Sequence, residues 1–149
     1  FKKLSFYYLS DLVSIVAPIG LFFGRIANFI NTELIGRPTE FYISVVYPSI
    51  DNLPRHPSQL YEALFEGLLL FIILYFYSYK YRKFNNHGLI SGLFLSFYSF
   101  FRFFIEFLRE PDLHLGLFFD LISMGQILSF PLFIFGIFLI LKNGTRKKN

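Results

Sequence analysis

Residues Leu89 to Arg109 read LISGLFLSFYSFFRFFIEFLR. No charged residue precedes Arg102, and the apolar residues are not confined to one stripe, as they would be on the surface helix of a soluble domain. At about 1.5 Å of rise per residue, about 20 residues cover about 30 Å, the thickness of a bilayer's hydrocarbon. The run is therefore expected to cross a membrane. Three more runs have the same character: Asp11 to Ile30, Leu60 to Tyr79 and Phe118 to Leu141. Pro18 and Gly20 interrupt the first and Pro131 the last, positions at which kinks are expected. Over all 149 residues, 54% are hydrophobic and 22% aromatic, which excludes a disordered chain and favours a polytopic membrane protein over one soluble domain. The expected fold is all-α: a transmembrane bundle of about four helices, with connecting loops over Asn31 to Gln59 and Arg109 to Leu117.

The net charge of +4 is less informative than the placement of the charges. Lys2 and Lys3 precede the first run, Lys80, Arg82 and Lys83 separate the second from the third, and Lys142, Arg146, Lys147 and Lys148 follow the fourth. Four crossings put these nine basic residues on one side of the membrane and leave only Arg37 and Arg55 in the opposite loops. By the positive-inside rule both ends of the chain are expected in the cytoplasm. The basic balance needs no nucleic-acid partner to explain it. The chain contains no Cys, so disulfides and a cysteine nucleophile of its own are excluded, and no His or carboxylate cluster has the spacing of a metal site. It opens on Phe1, and Met124 is its sole methionine, so the sequence reads as a piece of a longer protein. Its first residues lack the apolar core of a signal peptide.

The informative charges lie inside the spans. An ionised side chain in hydrocarbon costs about 2.5 to 3.5 kcal/mol on insertion scales, so each one calls for a partner or a purpose. Arg25 stands near the outer end of the first run, where it either snorkels to the interface or serves a site. Tyr98, Arg102, Glu106 and Arg109 follow one another at spacings of four, four and three, and so fall on one helical face. Arg102 and Glu106 make an internal ion pair at that spacing, while Arg25 and Arg109 have no carboxylate of their own on the same helix. Excess positive charge at one depth suits an anionic headgroup, which guanidinium holds through paired hydrogen bonds. The second run opens HPSQLYE, from His56 to Glu62. Pro57 suits a first helical turn, and Gln59, Glu62 and Glu66 share a face. Glu62 is explained by an interfacial helix start, where the helix dipole favours a carboxylate. Glu66 lies deeper and is expected to face the bundle and pair with an arginine. His56, in the outer loop, is either an ordinary loop residue or a proton carrier.

The stretch Gly24-Arg25-Ile26-Ala27-Asn28-Phe29-Ile30-Asn31-Thr32-Glu33-Leu34-Ile35-Gly36 resembles the signature of bacterial prolipoprotein diacylglyceryl transferases, G-R-x-(G/A)-N-F-x-N-x-E-x-x-G, at every fixed position. The block from Arg55 to Glu62, the run from Gly92 through Tyr98, Arg102, Glu106 and Arg109 to Asp112, and the segment Ser123 to Ser129 are similar to the same family, in the family's order. The resemblance implies a seven-helix bacterial inner-membrane enzyme about twice as long, of which this chain resembles the C-terminal half. The family's His-Gly-Gly motif is absent, the histidines here being His56, His87 and His114.

What the resemblance implies for function is transfer of a diacylglyceryl group from phosphatidylglycerol to the lipobox cysteine of a prolipoprotein signal peptide, with release of glycerol phosphate and no cofactor. Arg25, Arg102, Glu33 and Tyr98 are then the expected catalytic residues. Arg25, Asn28, Asn31, Gly36, Arg102, Glu106 and Arg109 are the expected contacts to phosphatidylglycerol. Gly36 is expected to permit a tight turn after the first helix. The partners implied are the lipid, the prolipoprotein, the bilayer and the N-terminal half of the enzyme, without which the fragment is expected to be inactive. Two other readings stand beside this one: an intramembrane anion or lipid transporter subunit, and a non-catalytic scaffold half.

Overall fold

The computed structural model describes residues 5–81, 87–111, 117–118 and 122–144. Lys2, Lys3, Arg82, Lys83, Asp112, His114, Arg146, Lys147 and Lys148, which entered the sequence argument, lie outside the described residues. Helix α1 (Phe6–Ile30) starts at Ser5, whose hydroxyl accepts from the Tyr8 amide, and it continues through Pro18 to Asn31. A second helical stretch combines α2 (Ser58–Glu62), a π-helical segment (Ala63–Leu69) and α3 (Leu70–Tyr81). Next come α4 (Leu89–Ile105) and α5 (Met124–Gly144), the latter with Pro131 inside it. Three of these stretches, of 25, 23 and 20 residues, are long and apolar enough to cross a membrane; α4 is a shorter apolar helix. The protein is a multi-pass helical membrane protein.

Burial is inverted relative to a soluble domain. Asp11, Ser58, Gln59, Glu62 and Glu66 are fully buried, while Phe23, Phe76, Phe130 and Leu141 are exposed. That is the pattern of a bundle whose solvent is lipid, since lipid tails accept apolar side chains and polar groups must find partners inside. The apolar core is small: Leu70, Leu74 and Ile90, with Ile15, Tyr77, Leu93, Phe94, Phe97 and Tyr98 packed around it. Elsewhere the helices meet through small residues. A Cβ on Gly92 of α4 would lie 2.9 Å from the Gly136 carbonyl of α5, and one on Gly136 would lie 2.7 Å from the Ser96 amide. Small residues let backbones approach closely where no hydrophobic force drives helix association.

Asp11 ties α1 to α4. Its carboxylate accepts from the Gly88 amide (2.7 Å), the Ser91 amide (2.8 Å) and the Ser91 hydroxyl (2.7 Å). It therefore satisfies the open donors at the start of α4 from a neighbouring helix, with the helix dipole in its favour.

Several features depart from the sequence expectation, and α1 already starts at Phe6 rather than Asp11. Helix α5 begins at Met124 rather than near residue 118, because Ser123 and Gln126 form a reciprocal cap: the Gln126 side chain accepts from the Ser123 amide (3.1 Å) and the Ser123 hydroxyl from the Gln126 amide (3.3 Å). Before that cap, strand β3 (Leu117–Phe118) pairs antiparallel with β4 (Ile122–Ser123). Helix α4 stops at Ile105, after which the chain tightens into turns with Phe107 donating to the Phe104 carbonyl and Leu108 to that of Ile105. Arg109 consequently lies beyond the helix and does not owe its direction to the helical face shared by Tyr98 and Arg102. The long loop also contains a ribbon the sequence reading did not foresee, β1 (Val45–Val46) against β2 (Pro54–Arg55), with Val45 opposite Arg55.

Candidate active site

The buried charges converge from three helical stretches. Arg25 of α1 directs Nε to Glu62 Oε2 at 3.1 Å and a terminal nitrogen to Glu66 Oε2 at 3.5 Å. Arg102 of α4 contacts Glu62 Oε1, lies 3.8 Å from Glu66 Oε1, and holds Glu106 Oε2 at 2.7 Å. Arg109 reaches Glu62 Oε1 at 3.5 Å. Glu62 thus touches three guanidinium groups while being fully buried, which corrects its reading as an interfacial helix-start residue. The reason is local. Beneath Glu62 the helix widens into the π segment, whose Gly67 lies so close to α1 that a Cβ there would stand 2.7 Å from Phe22 Cα. One turn further along α1 is Arg25. π segments recur at functional sites because they re-aim side chains that a regular helix would place elsewhere.

The cluster holds three arginines and three glutamates, so its formal charges balance. This corrects the expected excess of positive charge: Glu62 and Glu66 supply from the second helical stretch the carboxylates that Arg25 and Arg109 lack on their own elements. Glu66 faces the bundle and sits beside arginines, as its depth in the sequence implied. Both of its oxygens are buried without a hydrogen bond of good geometry, as are Arg25 Nε, Glu62 Oε2 and Glu106 Oε2. The contacts are ion pairs by distance rather than a fully bonded network. A Cβ on Gly125, two residues into α5, would meet Glu106 Cδ at 2.7 Å, so the glycine makes room for that carboxylate.

The signature loop after α1 is fastened to this cluster. Thr32 (φ 62°) and Leu34 (φ 55°) take the left-handed conformation, which is strained for a side-chain-bearing residue and recurs at functional sites. The Leu34 carbonyl accepts from Ser58 Oγ (2.9 Å) and the Glu33 carbonyl from Gln59 Nε2. Gln59 also accepts from Tyr47, whose buried phenol is pushed above its ordinary range by desolvation. Gly36 pairs with Arg109 in an antiparallel bridge, and Pro38 with Arg55. Gly36 is not at positive φ, so its expected role in a tight turn is replaced by a different one: the His56 carbonyl occupies the space a Cβ would need. Arg55, buried, donates to the Gly36 carbonyl (3.0 Å) and pairs with Asp51 and Glu110. These pairs hold the Asp51 carboxyl below the usual carboxylate range, chiefly through the Arg55 hydrogen bond.

The sequence-selected residues therefore divide. Arg25, Arg102, Glu106 and Arg109 meet in one cluster. Tyr98 lies in the field of Glu66, Arg102 and Arg25, stacked on Phe94. Asn28 is half-buried, while Asn31 and Glu33 are exposed, and the side chains of all three have no hydrogen-bond partner among the described residues. His56 stands 3.4 Å from the Tyr61 hydroxyl, away from the arginines' contacts. Asp11, Gln59 and Ser58 were not foreseen as organising residues, although their polarity within or beside an apolar run was the available signal.

The family model described as prolipoprotein diacylglyceryl transferase matches residues 1–142. The chain belongs to that family. Among curated prolipoprotein diacylglyceryl transferases, one from Rickettsia bellii (strain OSU 85-389), named phosphatidylglycerol–prolipoprotein diacylglyceryl transferase, is 57% identical over 144 residues, covering 97% of this chain and 55% of the relative. The proteins of the same name from Rickettsia akari (strain Hartford) and Rickettsia felis (strain ATCC VR-1525 / URRWXCal2) are 52% and 50% identical, each matched over 56% of its length. The chain spans about half the length of the prolipoprotein diacylglyceryl transferases it matches.

Proposed function

We propose that the chain takes part in diacylglyceryl transfer from phosphatidylglycerol to the lipobox cysteine thiol of prolipoproteins, acting at the outer face of a bacterial inner membrane with both ends in the cytoplasm. The observation that carries this reading is the buried arginine–glutamate cluster at membrane depth, in a chain of the transferase family. A sulfur–carbon bond forms as the carbon–oxygen bond to phosphate breaks. The thiol proton passes to a base, and glycerol phosphate leaves. The free thiol has a pKa of about 8.5, so it must be deprotonated to attack.

The leaving phosphate requires fixed donors in a dry site, where preorganised charge acts far more strongly than in water. Arg25 and Arg102 serve that role. Glu62 and Glu106 fix their orientation before substrate arrives, so no reorganisation is needed during the reaction. Tyr98, Asn28, Asn31 and Glu33 carry side-chain groups left open to a headgroup, and Arg109 completes the arginine set. Between α4 and α5 a groove of about 320 Å³, lined by Ser99, Phe100, Phe103, Phe104, Ser129, Phe130 and Phe133, suits acyl chains.

The chain is proposed to work with the further length that its relatives possess. The deciding assay follows labelled glycerolipid from phosphatidylglycerol to a lipobox peptide, using membranes with this chain alone and membranes co-expressing the unmatched part of the Rickettsia bellii relative. Transfer only on co-expression is expected. Label moved across the bilayer without reaching the peptide would favour a transporter instead.

A further inference from the structure

Five arginines fall among the described residues, and four of them have a carboxylate in salt-bridge range: Arg25, Arg55, Arg102 and Arg109. Arg37 does not. It lies one residue after Gly36 in the signature loop, is half-buried, and is held on three sides. Its amide donates to the Leu108 carbonyl (2.9 Å), its carbonyl accepts from the His56 amide (3.0 Å), and its Nε donates to the Arg109 carbonyl (3.0 Å). Its two terminal nitrogens have no hydrogen-bond partner among the described residues.

We infer that Arg37 is a binding residue for the phosphate monoanion, the group shared by the phosphatidylglycerol headgroup and the released glycerol phosphate. The inference rests on the transferase reading and deepens it. Arg25, Arg102 and Arg109 already face Glu62, Glu66 and Glu106, so the formal charges of the buried cluster cancel. An arriving anion is attracted more strongly by a cation with no carboxylate in range among the described residues, and Arg37 supplies one against the carbonyl of a cluster member. With Nε engaged, the guanidinium is fixed in direction and its terminal donors keep the planar geometry that pairs with two phosphate oxygens. Partial burial strengthens such a contact relative to a fully exposed one, and less ordering entropy is lost because the backbone on both sides is already bonded.

The test uses whichever preparation transfers, the chain alone or the co-expressed form, in vesicles of phosphatidylcholine with increasing phosphatidylglycerol. Arg37→Gln is expected to raise KM for phosphatidylglycerol about tenfold or more while changing kcat about twofold or less. Arg37→Lys, which keeps charge but not the fork, should recover part of that loss. Glycerol phosphate added to the aqueous phase should inhibit the wild type, and its inhibition constant should rise in Arg37→Gln in step with KM. An unchanged KM overturns the inference, as does a fall in kcat alone or a KM that moves while glycerol phosphate inhibition does not. A lowered melting temperature in Arg37→Gln that Arg37→Lys restores without restoring KM also overturns it, because the residue would then only brace the loop. Absence of transfer by the wild type in either preparation would instead defeat the transferase reading itself.

Discussion

Gly36 and Arg109 form an antiparallel bridge that joins the loop leaving α1 to the chain leaving α4. The bridge delivers the Arg109 side chain toward Glu62, and sets Arg37 against the Arg109 carbonyl. Through it, two segments far apart in sequence act as one unit over the buried charges.

Gly36→Ala tests how tightly that unit is built. The new methyl would meet the His56 backbone, which has no rotamer to relieve the clash. Overpacking of this kind costs about 1 to 3 kcal/mol, and here the displacement would open the loop rather than the helices. The expected result is a lowered melting temperature in detergent, together with faster hydrogen exchange at the Arg37 and His56 amides. Exchange unchanged from wild type at both would contradict the close-approach role.

Glu62→Ala should be the most destabilising carboxylate substitution in the chain. Removing it leaves Arg25, Arg102 and Arg109 facing one another with a shared counter-charge gone. Breaking a buried pair from one side costs about 3 to 5 kcal/mol, because the remaining charge is uncompensated. Glu62→Gln, which keeps an accepting carbonyl of the same shape, should lose less. Glu33→Ala, at an exposed position, should stay within about 0.5 kcal/mol of wild type. Thermal unfolding of the three variants in one detergent gives the order, and equal losses at Glu62 and Glu33 would refute it.

The helices were legible from the sequence because the apolar runs carry their own length signal, and the family from the signature Gly24 to Gly36. Arg25, Arg102 and Glu106 were legible because a charge in an apolar run is costly and must be explained. Glu62 was misread because one residue type at a helix start has two explanations, and the choice depends on Gly67 and the π segment, a three-dimensional crossing that no local spacing encodes. Arg109 was found for an incomplete reason: its helical spacing is genuine in the sequence, but a bridge to a distant glycine directs it. The helix cap at Ser123 and Gln126 was readable in principle, being a Ser-x-x-Gln pattern before an apolar run, and the late start of α5 follows from it.

Asp11→Ala removes the acceptor for two amides and a hydroxyl at the start of α4. Loss of a cap typically costs about 1 kcal/mol, and unsatisfied buried donors raise that to about 1 to 3 kcal/mol. The variant should unfold at lower temperature, and exchange at the Gly88 and Ser91 amides should rise before that of the α4 interior. Protection retained at both amides would mean that another group caps the helix.

Acid should release the Arg55 anchor late. A carboxyl held below its usual range in the folded state contributes stability that is present above its unfolded pKa and is lost as pH falls through its folded pKa. For Asp51 the shift is downward, with the Arg55 hydrogen bond as the main cause. Loop order around Leu53 should therefore persist through the ordinary aspartate range, about pH 4, and fail only below it. Asp51→Asn should remove that acid transition, as read from chemical shifts of the loop amides, and its survival in the variant would assign it to another group.

Arg102 separates charge from geometry. It contacts Glu62 and Glu106 at once, through different guanidinium nitrogens, a division a planar fork can make and a single ammonium cannot. Arg102→Ala in a transferring preparation should lower the rate about 100-fold to 1000-fold if the residue stabilises the leaving phosphate. Arg102→Lys retains the cation but loses the planar fork that meets the two carboxylates through separate nitrogens, so its activity should also fall well below wild type. The same variant should unfold closer to wild type than Arg102→Ala does, because Glu62 keeps a counter-charge. Measured together, initial rates and melting temperatures distinguish the roles: a lysine variant with near-normal transfer would mean that positive charge alone suffices at this position and that the two-sided hold on the guanidinium has no part in the chemistry.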